Sequence, residues 1–162
     1  MFIISHRANI YGPSPSRENS PDYITEAINL GYQVEIDVWN FGNEWFLGHD
    51  VPQYKTTIDF LQNDALWIHA KNIKTLNCLL SLNNINCFFH DRDDCTLTSR
   101  GYIWTFPERD LTFRSIAVMP ERADQIRYPE WNISKPSSLI GSCAGICTDY
   151  PEHYKLLLSL NE

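Results

Sequence analysis

The chain opens on a short isoleucine-rich apolar run, Phe2 to Ser5, which reads as a buried strand. The stretch after it, ANIYGPSPSRENS, is full of Gly, Pro, Ser and Asn and reads as a loop. Ser20 then Pro21 pairs an N-cap with proline at the first helical position. Asp22 supplies first-turn acid, Tyr23, Ile24, Ala27, Ile28 and Leu30 carry an apolar face, and Gly31 closes the helix. From Gln33 to Trp39 the period becomes two: Val34, Ile36 and Val38 fall on one face, Glu35 and Asp37 on the other. Glu44 to Gly48, after the turn residues Gly42 and Asn43, reads as a hairpin strand running back along it. Helices are expected at Thr57–Asn63 and Ile73–Leu82, with strands at Leu66–Ala70 and Cys87–His90. Tyr102–Phe106 and Ile116–Met119 read as strands joined by short polar segments. Ala144–Thr148 is a final strand, and Pro151 starts a terminal helix reaching Leu160.

Strand starts therefore fall near 2, 33, 66, 87, 102, 116 and 144, at successive spacings of 31, 33, 21, 15, 14 and 28 residues. A βα unit needs about 30 residues. The first two intervals each hold one unit, whereas 15 and 14 residues are too few for a full helical crossover. The expected fold is α/β: a reduced TIM-type (β/α) barrel, one domain over residues 1–162, with helices missing in the second half. Complete barrels take about 250 residues, and at least about 200. Strands such as Ile116–Met119 are apolar without alternation and want cover on both faces. A flank without helices exposes apolar surface, so a homodimer through the back half is expected.

Composition narrows the class. With 13 Lys+Arg against 20 Asp+Glu, the 162-residue chain carries 13 − 20 = −7, and its basic residues form no cluster. That argues against a nucleic-acid partner, which needs grouped cations. No apolar run approaches the roughly 18 residues of a membrane span. The start, MFIISHRANI, lacks a basic n-region and is read as a strand rather than a signal peptide. Five cysteines, with no CxxC pair, read as reduced thiols, and a cytoplasmic location is expected.

Candidate chemistry collects at the strand ends. His6 and Arg7 follow the first strand, and Glu35 and Asp37 lie on the second. His49 and Asp50 follow the hairpin, His69 and Lys71 end the next strand, His90 and Asp91 the one after, and Asp149 the last. In a β/α barrel these positions converge on one mouth. Glu35 and Asp37 leave the same strand face, and if that face is interior their repulsion calls for a divalent cation. The alternative is the exposed polar face of an edge strand. His6 and His49 could act as acid and base at phosphorus, with Arg7 and Lys71 as cationic donors. His90, Trp104 and Asp149 form a further layer. They could cradle a glycerol or sugar group, or Trp104 could be core and Asp149 a helix cap.

The segment ISHRANIYGPSPSRENSPDYITEAINLGYQVEIDVWNFGNEWFLGHD resembles the glycerophosphodiester phosphodiesterase family, within the phospholipase-C-like phosphodiesterase superfamily. His6-Arg7-Ala8, Arg17-Glu18-Asn19-Ser20, Glu35-Ile36-Asp37 and His49-Asp50 stand for that family's His-Arg-Gly, Pro-Glu-Asn-Thr, Glu-x-Asp and His-Asp motifs. AGICTDYPE, Ala144 to Glu152, is similar to its final-strand signature. The resemblance implies that His6 and His49 are the catalytic pair, that Arg7 and Lys71 bind phosphate, and that Glu35 and Asp37 ligate one divalent ion, Mg, Ca or Mn. At the third ligand position the family carries an acid, whereas this chain has His69. An imidazole suits a softer metal, or His69 only hydrogen-bonds a neighbour. Ala8 in place of Gly is a second departure. The implied activity is metal-dependent hydrolysis of a glycerophosphodiester-type substrate, a small molecule or a diester within a polymer. A lyase releasing a cyclic phosphate, like sphingomyelinase D, and a non-catalytic ligand-binding barrel are the alternatives.

Overall fold

A computed structural model of the chain describes residues 1–107, 109–122 and 143–159. The first half alternates strands and helices: β1 (Phe2–Ser5), α1 (Pro21–Asn29), β2 (Gln33–Phe41), β3 (Glu44–Leu47), β4 (Tyr54–Thr56), α2 (Ile58–Leu61), β5 (Leu66–Ala70) and α3 (Ile73–Leu80). The second half adds β6 (Cys87–Phe88), β7 (Cys95–Leu97), β8 (Ile103–Thr105), β9 (Ser115–Val118), β10 (Gly145–Thr148) and α4 (Pro151–Ser159). Each helix of the first half starts at a residue whose side chain accepts a backbone N–H: Ser20 from Tyr23, Thr57 from Phe60 and Asn72 from Thr75. Gly31, at φ 89°, ends α1 in the left-handed region that glycine adopts without strain.

All strands among the described residues belong to one 10-stranded sheet. Neighbours along β6–β5–β2–β1–β10–β9–β8 run parallel. β3 folds back antiparallel on the far end of β2 and carries β4, while β7 lies antiparallel on β8. The sheet is α/β and mostly parallel, and it is not closed, because no ladder joins β6 to β7 or β8 among the described residues. Hydrogen bonds bridge that seam instead. The Ser99 N–H donates to Cys87 O (2.8 Å), and the Cys87 N–H donates to Ser99 Oγ (2.9 Å).

Side chains sort by parity. Outward residues Val34, Ile36, Val38, Leu66, Ile68 and Ala70 pack with Tyr23, Ile24, Ala27 and Leu79 of α1 and α3. Ile146 and Ala117 pack beneath Tyr154 of α4. Inward residues from six strands, Ile4, Trp67, Phe88, Trp104, Ile116, Val118 and Cys147, form a second core on the other face of the sheet. An inner core fed by so many strands curls the sheet around itself.

Between β6 and β9 no helix occurs among the described residues, as the short spacings predict, but residues 120–122, directly after β9, are helical, where the expectation was a bare loop. β7 and its turn fill part of that interval. The strand expected at Cys87–His90 is regular only to Phe88. Leu97 and Phe113, 68% and 78% exposed, lie on this flank. The five cysteines form no disulfide, and no helix among the described residues is long and apolar enough to cross a membrane.

Candidate functional site

Continuing the inward parity beyond the inner core leads to the mouth of the curled sheet. There β2 presents Glu35 and Asp37 beside Trp67 and His69 of β5, in register Glu35↔Trp67 and Asp37↔His69. All three polar groups are buried, with Glu35 at 3%, Asp37 at 1% and His69 at 8% exposure. One ligand atom from each lies within 4.8 Å of the others, so the cluster could hold a metal ion. His69 Nδ1 is 3.0 Å from Asp37 Oδ1. That separation matches one edge of a coordination shell with bonds of about 2.1 Å.

The surroundings are cationic. Lys71 Nζ lies 3.1 Å from Asp37 Oδ1, and Arg7 Nε lies 3.5 Å from Asp37 Oδ2. The Arg7 backbone N–H donates to Glu35 Oε2 at 3.0 Å. Asn19 clamps Asp37 twice: its Nδ2 donates to Oδ2, and its Oδ1 accepts the Asp37 N–H. These contacts push the two acids apart. Burial and the neighbouring Asp37 charge raise the Glu35 pKa. Burial would raise Asp37 too, but its hydrogen bond to His69 and the charges of Lys71 and Arg7 hold it well below the usual carboxylate range.

His6 opens a turn, His6–Ala8, in which Arg7 (φ 50°) and Ala8 (φ 69°) are both left-handed. Such strain in non-glycine residues persists only where the surroundings enforce it. Here the enforcing contact is the Arg7 N–H turned onto Glu35. His6 Nδ1 pairs with Asp149 Oδ1 at 2.7 Å, which orients the ring. Burial lowers the His6 pKa, but the Asp149 hydrogen bond and the Glu35 charge outweigh it and the net shift is upward. Asn9 Nδ2 donates both to Asp149 Oδ1 (2.8 Å) and to Glu18 Oε1 (3.0 Å). His49, half-buried, pairs through Nδ1 with Asp50 Oδ1 at 2.7 Å. Its loop turns on Gly48 at φ 142°, where a Cβ would come within 2.2 Å of Val51 O.

Rings wall one side. His69 stacks on His90 with centroids 4.4 Å apart, and Phe88 stacks on Trp104 at 4.5 Å. Burial, with the charges of His69 and Lys71, pushes the His90 pKa down to about 4, so this imidazole is neutral near pH 7. Two adjoining cavities make up the cleft. One, of about 190 Å³, is lined by Glu35, Asp37, His69, His90, Trp104 and Phe106; the other, of about 470 Å³, by Pro13, Pro15, Glu18, Gln53 and Asp149. His6, Arg7 and His49 line both.

Except for Asp91, which is exposed and lines neither cavity, the residues singled out from the sequence gather at this mouth, but their partnerships differ from expectation. Lys71 is bound to Asp37, Trp104 is 2% exposed and forms the floor, and the Asp149 carboxylate faces His6. Sequence reasoning assigns no role to Asn9, Asn19, Glu18, Glu121 or Arg122. Asn19 had a usable signal: an asparagine two residues before a helix-opening proline tolerates the left-handed φ of 60° it adopts. The chain matches no protein-family model, no curated protein and no solved structure.

Proposed function

We propose that the chain is a metal-dependent phosphodiester hydrolase of the glycerophosphodiester type, on a reduced TIM-type barrel. The observation that carries this is one cleft holding the buried Glu35, Asp37 and His69 cluster beneath two histidines, His6 and His49, each oriented by its own carboxylate. A divalent ion held by Glu35, Asp37 and His69 would supply charge neutralisation for the non-bridging phosphate oxygens. The imidazole donor suits manganese, iron or zinc better than magnesium or calcium.

The histidines divide the proton work. Asp149 occupies His6 Nδ1 and Asp50 occupies His49 Nδ1, leaving each Nε2 for exchange with substrate oxygens. One removes a proton from the attacking water and the other protonates the leaving alkoxide. The Asp149 hydrogen bond and the Glu35 charge favour the protonated form of His6 against burial, which suits it to protonate the leaving group in this scheme. The neutral His90 offers a flat wall to a glycerol or sugar group, with the buried Trp104 beneath as floor.

Turnover of bis(p-nitrophenyl) phosphate and of glycerophosphodiesters is measured with Mg, Ca, Mn and Zn, alongside His6→Ala and His49→Ala. Activity that needs a metal and falls by about 10²–10⁴-fold in each variant supports the proposal. Undiminished activity in both variants overturns it, and a persisting cyclic phosphate product replaces hydrolase by lyase. The same proposal includes a homodimer through the flank around Leu97 and Phe113, which a monomer by light scattering at micromolar concentration refutes.

A further inference from the structure

The two lobes of the cleft share a fourth side chain besides His6, Arg7 and His49, namely Arg122. The other two cations nearby are already committed. Arg7 reaches Glu18 at 3.2 Å and Asp37 at 3.5 Å, while Lys71 holds Asp37 at 3.1 Å. Each would have to leave a buried carboxylate before giving its full charge to a substrate, and uncovering such a group is costly. Arg122 makes no such contact among the described residues, though its charge, with His6 and Asn9, helps to hold Asp149 ionised. Its side chain is exposed, and among the described residues its guanidinium has no hydrogen-bond or ion-pair partner.

Its backbone, by contrast, is fixed. The Arg122 N–H donates to Met119 O at 2.9 Å, and the Met119 N–H donates to Cys147 O at 2.7 Å. The adjacent Glu121, 3% exposed, accepts the Thr148 hydroxyl at 3.0 Å and the Asp149 N–H at 3.3 Å. This helical segment, residues 120–122, is thus tied to the strand end that also carries the His6 partner Asp149. A planar fork of donors on an anchored backbone, at the junction of two lobes, suits a tetrahedral oxyanion.

We infer that Arg122 binds the phosphate of the substrate at the junction of the two lobes, with one ester substituent lying in each lobe. This rests on the phosphodiesterase reading. Arg7 and Lys71 then serve to hold the metal-binding carboxylates, and the phosphate takes its protein cation from a residue after β9.

The test is binding of inorganic phosphate to the metal-loaded full chain, by calorimetry, for wild type, Arg122→Gln and Arg122→Lys. Metal affinity is measured in parallel, together with kcat and KM on bis(p-nitrophenyl) phosphate. Arg122→Gln should weaken phosphate about 10–100-fold and lower kcat/KM by a similar factor, with Arg122→Lys between and metal affinity unchanged. An active wild type whose Arg122→Gln variant binds phosphate equally well overturns the inference and leaves the phosphodiesterase reading standing. A wild type that neither binds phosphate nor turns over the diester fells both.

Discussion

Asn19 and Asp37 hold each other by a reciprocal pair of hydrogen bonds, each 2.9 Å long. The pair joins the loop before α1 to the strand that presents the buried carboxylates. It fixes the Asp37 carboxylate plane while His69 and Lys71 take its other oxygen. Groups that orient a ligand commonly matter about 10–100-fold in metal affinity. Asn19→Ala is expected to lose that much by calorimetric titration with Mn²⁺. Unchanged affinity in a folded variant would show that Asp37 is positioned without it.

Metal preference should follow the third ligand. His69→Asp replaces an imidazole by a carboxylate, completing an all-oxygen set with Glu35 and Asp37. The ratio of Zn²⁺ to Mg²⁺ affinity is expected to fall in the variant, because nitrogen donors favour the softer ion. Manganese EPR on protein with ¹⁵N-labelled histidine offers a second readout: hyperfine coupling to His69 in the wild type, absent from the variant.

The His6–Asp149 pair sets a pH window. Burial works against both charges, but their hydrogen bond raises His6 above its ordinary 6.5 and lowers Asp149 below its ordinary 3.8. The stability the pair adds is complete between those two ordinary values. It is lost as pH rises through the raised His6 pKa, and lost again as pH falls through the lowered Asp149 pKa. Urea unfolding of wild type and Asp149→Asn should therefore differ more at about pH 5 than at about pH 9. By NMR, the His6 titration midpoint should move down in Asp149→Asn, since Glu35 alone is left to oppose burial and the Arg7 charge.

Gly48 has no room for a side chain. At φ 142° and with Val51 O 2.2 Å from an added Cβ, Gly48→Ala must move the loop that carries His49 and Asp50. The strain amounts to about 1–3 kcal/mol. A modest drop in melting temperature with a much larger drop in phosphodiester turnover is expected. Equal turnover would mean that His49 has no part in the reaction.

Much of the fold was legible because the apolar runs are strong and their caps are explicit. Ser20-Pro21 starts α1 and Gly31 ends it where the sequence predicts. β4 and β7 were not legible. Tyr54–Thr56 and Cys95–Leu97 have no buried residue, and they are strands only because β3 and β8 offer them hydrogen-bonding edges. The pairing of Glu35 and Asp37 in the buried cluster was legible for a local reason, since the two share a face by spacing alone. Its clamps were not. Asn19, Asn9 and Glu121 matter through contacts 18, 140 and 28 residues distant in sequence, which the register of the sheet decides.

The serine bridge at the open seam has a consequence for the shape of the cleft. His69 and His90 stand on one bank of that seam and Trp104 and Phe106 on the other. Directly between the banks run the bonds of Ser99, the Thr96 hydroxyl donating to Phe89 O at 2.9 Å, and ring contacts such as Phe88 on Trp104. A continuous ladder would fix the width of the mouth through many backbone bonds at once. Here the gauge of the cleft is set by one backbone bond, Ser99 N–H to Cys87 O, by the Ser99 and Thr96 hydroxyls and by a few stacked rings. On the phosphodiesterase proposal, a bulkier ester would be admitted most readily by widening at this seam, where the fewest bonds must give.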